Sequence, residues 1–273
     1  MSSEQVSSDA ERPFEPPVVL ASLSGQSDAD WAKAGARDAG AAFLGGLAID
    51  DATRQAAQKM VARDREEFLP ADPIAFVDDH LTALTDVPIR AGFNVRTTTL
   101  EPLAEVAAVC HRHDAILEIN AHCRQDEICA VGGGESLLRD TARLCEQVKT
   151  ASDAGPAVSV KVRTEVPGVD LPALAARLET AGASYVHVDA MDSEHVVADV
   201  VEATALTVIA NNGVRDRETV FEYFEYGADA VSVGRPSDNP AVLSKVRTAT
   251  DEWFDTTSSP RPTGTNTRRS PQR

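Results

Sequence analysis

Lysine is scarce in this chain. Of its 26 basic residues only five are Lys, at positions 33, 59, 149, 161 and 245. Asp and Glu number 43, and the formal net charge is −17 over 273 residues. So acidic a surface repels phosphate backbones, which excludes a broad basic nucleic-acid footprint. A Lys-poor, Asp-rich composition resembles that of proteins working in concentrated salt, where carboxylates hold hydration, and a halophilic protein is the expectation. Long apolar runs are missing too, since none approaches the ~18 residues of a membrane span. The amino-terminal MSSEQVSSDAERPFEPP is polar and acidic and lacks a signal-peptide core. A soluble, cytoplasmic protein with no membrane partner is expected. Cysteines number four, at 110, 123, 129 and 145, with no CxxC pair and no Cys/His spacing of a zinc site. Neither a disulfide framework nor a metal centre is expected. Cys110 and Cys145 fall in the helix-like LAEVAAVCHRHD and TARLCEQV, where a thiol acts as a small apolar group.

What the chain does have is rhythm. Residues 1–17 and 256–273 read as disordered arms, the second rich in Pro, Ser, Thr and Arg. Between them short apolar runs alternate with amphipathic ones. VVLASL (18–23), AAFLGGLAI (41–49), IRAGFNVRT (89–97) and AILEINAHC (115–123) are strand-like. So are AVSVKVRT (157–164), SYVHVDAM (184–191), LTVIANNG (206–213) and DAVSVGR (229–235). Each precedes a helical stretch; the one after the second strand is long and broken at Pro70 and Pro73. Val- and Ile-rich runs of this kind suit parallel strands covered by helices on both faces. Gly182 and Gly227 stand where left-handed helix caps belong. A closed barrel and an open doubly wound sheet compete for this pattern. Eight units, and no GxGxxG after the first strand, favour an α/β (β/α)8 TIM barrel over residues 18–255.

In such a barrel the active site forms at the carboxyl ends of the strands. The candidates are then Asn94 and Arg96 on strand 3, and Asn120, His122 and Cys123 on strand 4. Lys161 and Arg163 follow on strand 5, His187 and Asp189 on strand 6, Asn211, Asn212 and Gly213 on strand 7, and Gly234 and Arg235 on strand 8. A polar residue inside an apolar strand needs a partner, because an unpaired buried polar group costs about 1–3 kcal/mol. Lys161 is the sharpest case in a chain that seldom uses Lys. It reads either as an interior ion pair with a carboxylate such as Glu118 or as an ammonium facing an anion or cofactor. His187 reads as an interior hydrogen-bonded histidine or as a site residue. The Gly residues ending strands 7 and 8 suit backbone binding of a phosphate, with Arg235 adding charge. The GGG at 132–134 reads as a tight turn into the next helix.

LEINAHC, VGGGESLL, VSVKVRT, YVHVDA, VIANNGV and DAVSVGRP, in that order and spacing, resemble the FMN-dependent dihydrouridine synthases and their barrel-only archaeal relatives. These in turn are similar to dihydroorotate dehydrogenases. The resemblance spans roughly residues 18–240. It implies an FMN oxidoreductase acting on the C5–C6 bond of a uracil-type ring, in a tRNA uridine or a free pyrimidine. By the same resemblance Cys123 is the general acid, Asn120 orients a ring, and His187 lies near the ring system. Lys161 and Asn94 face the flavin, and Asn212, Gly213, Gly234 and Arg235 hold its phosphate. Two positions depart from the family pattern: Arg124 stands where Pro usually follows the Cys, and Asp189 where an Arg usually follows the strand-6 His. The helical RNA-binding domain of tRNA-modifying members is absent from the pattern. The residues also admit a Schiff-base lyase or aldolase using Lys161, or a degenerate barrel that binds a flavin or nucleotide without turnover.

The charge composition carries a direct test. Thermal melts in low and in molar KCl should give the higher Tm in molar salt, where self-repulsion of the −17 chain is screened. A Tm that falls with salt would remove the halophilic reading.

Overall fold

The computed structural model describes residues 13–258. Eight parallel strands close in sequence order into a barrel, the first pairing with the last. They are β1 Val18–Leu20, β2 Ala41–Ala48, β3 Arg90–Arg96, β4 Ile116–Asn120, β5 Val158–Arg163, β6 Tyr185–Asp189, β7 Thr207–Asn211 and β8 Ala230–Val233. The fold is the expected (β/α)8 TIM barrel. Strand alternation divides the apolar residues into two sets. Leu20, Leu44, Val95, Ile119, Val160, Val188 and their neighbours point outward and are buried beneath the helices. Val19, Ala41, Phe43, Ile116, Ile209 and Ala230 point inward and fill the amino-terminal end of the barrel. Gly92 of β3 is required there, because a Cβ would stand 2.5 Å from the Phe43 ring.

Phe14 closes that end, buried and stacked on Tyr185 with ring centroids 5.6 Å apart. Phe14 lies in the stretch read from sequence as a disordered arm, and the structure instead gives this aromatic a dry seat at the barrel end. Residues 1–12 and 259–273 of the two expected arms lie outside the described residues.

The helices are α1 Ala29–Gly35, α2 Asp51–Val61, α3 Pro73–Thr82, α4 Leu100–Arg112, α5 Asp126–Ala130, α6 Thr141–Asp153, α7 Leu171–Ala181, α8 Val196–Ala203, α9 Arg217–Glu225 and α10 Pro240–Ser258. Gly182 ends α7 at φ +105°, its N–H returning to the Glu179 and Leu178 carbonyls, as its place in the sequence suggests. The helical stretch after β2 divides into two helices with different tasks. Pro73 opens α3 at its first position, where a missing N–H costs nothing, and Asp72 caps it through Ile74 and Ala75. α3 joins the outer ring beside α4, whereas α2 packs against α5 above the carboxyl ends of the strands. Ala56 and Met60 of α2 meet Ile128 of α5 there, and Arg63 ties the end of α2 to Glu127 at 2.6 and 2.8 Å. No helix among the described residues is long and apolar enough to cross a membrane.

Asp50 fixes α2 in this position. One carboxylate oxygen accepts from the N–H and hydroxyl of Thr53, both at 2.7 Å, which caps the helix. The other accepts from the hydroxyls of Thr97 and Thr98 and from the Thr98 and Thr99 N–H groups, which follow β3. Burial opposes the charge, but the Thr53 and Thr98 donors outweigh it and hold this carboxyl below its ordinary pKa. Asp50→Ala should therefore cost about 3 kcal/mol near neutrality, one cap plus several donors left unpaired. The contribution is complete above the unfolded value of ~3.9 and is lost as pH falls through the lower folded value. Denaturant melts of both proteins from pH 7 into acid should show the gap closing; a constant gap would contradict this role.

Candidate active site

A buried carboxylate organises the carboxyl half of the barrel. Glu118 sits at the middle of β4, facing inward and fully buried. It accepts from Asn94 Nδ2 of β3 at 2.7 Å, Ser159 Oγ of β5 at 3.0 Å and His187 Nδ1 of β6 at 2.8 Å. Burial works against its charge, yet His187, Lys161 and Asn94 prevail and its pKa lies below the usual carboxylate value. The His187 pKa is lowered as well, burial outweighing the pull of Glu118, which disfavours the charged ring. With Nδ1–H donating to Glu118, Nε2 accepts from Ser232 Oγ at 2.7 Å, and Asn211 Nδ2 donates to the same hydroxyl at 2.7 Å. Both nitrogens of His187 are thus engaged below the strand ends.

The direction of each amide follows from that carboxylate, which can only accept. Asn94 must turn its NH2 to Glu118, leaving its carbonyl oxygen to take Asn120 Nδ2 at 2.8 Å. Asn120 then presents its own oxygen to the backbone N–H groups of His122 and Cys123, at 3.3 and 3.0 Å. The turn after β4 is thereby held. Its far side is closed by Gly134 at φ +59°, where a Cβ would lie 2.1 Å from the Cys123 carbonyl oxygen. That is what the last glycine of the GGG run provides.

From this turn two side chains diverge. Cys123 packs among Ala56, Met60 and Ile128 under α2 and α5 and is 8% exposed. His122 reaches across the mouth to Asp189, Nε2 to Oδ2 at 3.3 Å, while Asn212 Nδ2 donates to the other Asp189 oxygen at 2.8 Å. Burial opposes ionisation of Asp189, but His122 and Asn212 outweigh it and its carboxyl is strongly acidified.

Lys161 stands between Asn120 and His187 in strand register and is 2% exposed. Among the described residues it makes no hydrogen bond and no ion pair within 4 Å; Glu118 is occupied by its three donors. Burial lowers its pKa, against the pull of Glu118 and Asp189. Beside it Arg163 approaches Glu135 at 3.6 Å. Gly213 and Gly234 border open space at the ends of β7 and β8, with no atom within 4 Å of where a Cβ would be, and Arg235 is exposed. Two clefts of about 440 and 230 Å³ open on this face beside the loop between β5 and α7. Lys161 lines neither.

The dihydrouridine synthase profile matches residues 93–263, from β3 through every strand that carries these groups. The chain belongs to the dihydrouridine synthase family. It is 26% identical over 231 residues to an uncharacterized protein of Methanocaldococcus jannaschii, covering 80% of this chain and 88% of that one. Among solved structures it is similar to FabK from Thermotoga maritima, with TM-score 0.53 and 17% identity over 82% of this chain. The chain spans 59% of that FabK chain. A tryptophan synthase complex from Pyrococcus furiosus gives TM-score 0.55 and 13% identity, covering 89% of this chain and 99% of that one. At such identities these likenesses show the barrel alone.

Of the residues singled out by sequence, the structure gathers Asn94, Asn120, Lys161, His187, Asn212, Gly213 and Gly234 at one barrel end, and places the Cys123 thiol to the side of it. Sequence reading passed over Ser159, Ser232 and Glu67. The last comes from the loop after α2, where its buried carboxylate pairs with Arg96 at 2.7 Å; nothing in a loop sequence signals such an inward turn. The serines carried one weak signal, alternate spacing with Lys161 on β5 and alignment with Asn211 on β8. Glu118→Ala should strand three donors and deprive Lys161 of a neighbouring charge, costing about 3–5 kcal/mol. Denaturant unfolding measures it, and a loss under about 1 kcal/mol would show that the network is dispensable.

Proposed function

We propose that this barrel is an FMN-dependent oxidoreductase acting across the C5–C6 bond of a uracil-type ring, in a tRNA uridine or a free pyrimidine. The observation that carries the reading is Lys161: a buried lysine with no hydrogen-bond or ion-pair partner among the described residues, at the strand ends of a dihydrouridine synthase-family barrel. A buried cation with neighbouring carboxylates but no contact partner is costly, and a ligand anion can supply the missing contact.

The residues present fit FMN. Lys161 would hold its ring system by charge. Gly213 and Gly234, with open space where side chains would project, leave room for a phosphate, and Arg235 offers an exposed guanidinium beside it. Asn94 and His187 lie one layer deeper, bonded within the protein, and support the site from below. FMN, when bound, supplies hydride chemistry. The chain's own part is to bind, orient and handle the proton. That proton falls to the β4 turn, which carries Cys123, the donor implied by resemblance, together with His122.

A second reading has one observation in its favour. Burial depresses the Lys161 pKa and no carboxylate contacts the amine, which is how an imine-forming lysine is prepared. Borohydride trapping of a carbonyl substrate on Lys161 would support it.

The deciding measurement is the visible spectrum of the purified chain with added FMN. Bound flavin bands near ~450 nm should appear. Lys161→Ala should weaken FMN binding by at least about tenfold. Absence of any FMN binding overturns the proposal.

A further inference from the structure

Arg96 is a strand-end residue that the flavin reading leaves without a task. It ends β3 and is 3% exposed beneath α2, whose Thr53 hydroxyl donates to the Arg96 carbonyl at 3.2 Å. The same helix covers Cys123 with Ala56 and Met60. Guanidinium and thiol thus come from neighbouring strands to one buried place. Burial opposes the Arg96 charge, and the charges of Cys123 and Glu67 more than offset it. An ionised Cys123 acts on Arg96 ahead of Glu67, although a Glu67 oxygen lies 2.7 Å from Nη1.

The pairing of Arg96 with Glu67 is incomplete. An arginine commonly meets a carboxylate through two parallel bonds. Here Nη1 alone meets Glu67 Oε2, and Nη2 donates to Ser24 Oγ. Arg96 Nε and Glu67 Oε1 are both buried without partners. Buried polar atoms in that condition are rare and call for a specific reason. The guanidinium keeps a donor in reserve, and a negative sulfur beside it would be an acceptor. The other elements packed on Cys123 bring no such cation. α2 presents Ala56 and Met60, and α5 presents Ile128 and Cys129, whose Sγ donates to the Cys123 carbonyl at 3.4 Å. Burial raises the Cys129 pKa, with Glu135 and Cys123 adding to the rise.

We propose that Arg96 is a positioning residue that stabilises the Cys123 thiolate left when the thiol gives up its proton. This rests on the flavin reading above, with Cys123 as the donor. In reduction the Cys123 S–H bond breaks and its proton passes to C5, while a hydride from reduced FMN arrives at C6. The C5=C6 double bond is consumed, and the electron pair of the S–H bond stays on sulfur. Without Arg96 that charge would stand among Ala56, Met60 and Ile128, where an isolated anion is costly. In the reverse direction the thiolate takes the C5 proton and Arg96 is released to Glu67 alone. Glu67 competes for the same guanidinium and so moderates the effect.

The test is an NMR titration of the full chain labelled with ¹³Cβ-cysteine, the Cys123 signal being the one lost in Cys123→Ser. Arg96→Gln should move the Cys123 midpoint up by at least about one pH unit, and Arg96→Lys should recover part of that shift. Glu67→Gln should move it down, because Arg96 then answers to the sulfur alone. A purely structural role gives no such opposed signs. Cys110, buried in α4 with its thiol pushed up to about 12, reports the fold and should stay protonated where Cys123 titrates. If Arg96→Gln fails that control, Glu67→Gln decides. An unmoved midpoint in a folded Arg96→Gln overturns the proposal, and so does a midpoint that does not fall in Glu67→Gln. The titration needs no flavin, so either result leaves the flavin reading standing. Failure to bind FMN removes both.

Discussion

One carboxylate with no access to water dictates the polar half of this barrel. Glu118 can only accept hydrogen bonds, so each neighbour must turn a donor toward it. That single condition selects the His187 tautomer and the orientation of the Asn94 amide. Through Asn94 it orients Asn120, and through Asn120 it shapes the turn from which His122 and Cys123 diverge. Six strands, β3 to β8, are joined by this relay, with Ser232 donating to the far nitrogen of His187 and accepting from Asn211 of β7. The mouth geometry is inherited from a charge buried one layer beneath it.

Above the relay, the chain builds a cover from the stretch after β2. The first helix of that stretch, α2, lies over the strand ends, pinned by Asp50 and joined to α5 by Arg63 and Glu127. Its apolar face rests on Cys123, and the loop beyond it turns Glu67 inward to Arg96. Lys161 is left as the one buried cation of the mouth, among the described residues, with no contact partner; Arg96 and Arg163 each have a carboxylate within 4 Å.

Much of this was legible in the sequence. β5 to β8 were plain because each is a Val- and Ile-rich run with helices on one side and barrel interior on the other. Lys161 stood out by rarity and by alternate spacing with Arg163. Gly182 was readable because a helix end and a coming strand leave few conformations. What remained hidden depends on contacts between distant segments. Glu118 in LEIN looks like any carboxylate in a strand until its three donors, 24, 41 and 69 residues away, are brought around it. The two helices after β2 look alike in sequence, and only packing against α5 tells the cover from the ring. Phe14 sat in a stretch whose composition is that of an arm, and a single stacking contact decides otherwise.

The Phe14 seal makes the barrel one-ended. Below Glu118 lies a dry apolar layer of Val19, Phe43, Ile116, Ile209 and Ala230, closed by that aromatic ring. Water cannot hydrate the carboxylate from beneath, so any proton leaving the relay has a single exit, upward past Lys161 and His122. A ligand seated at the mouth would stopper that exit as well as fill the site. The slowest-exchanging side-chain hydrogen in the molecule should then be the one His187 donates to Glu118, and occupancy of a site it never touches would set its lifetime.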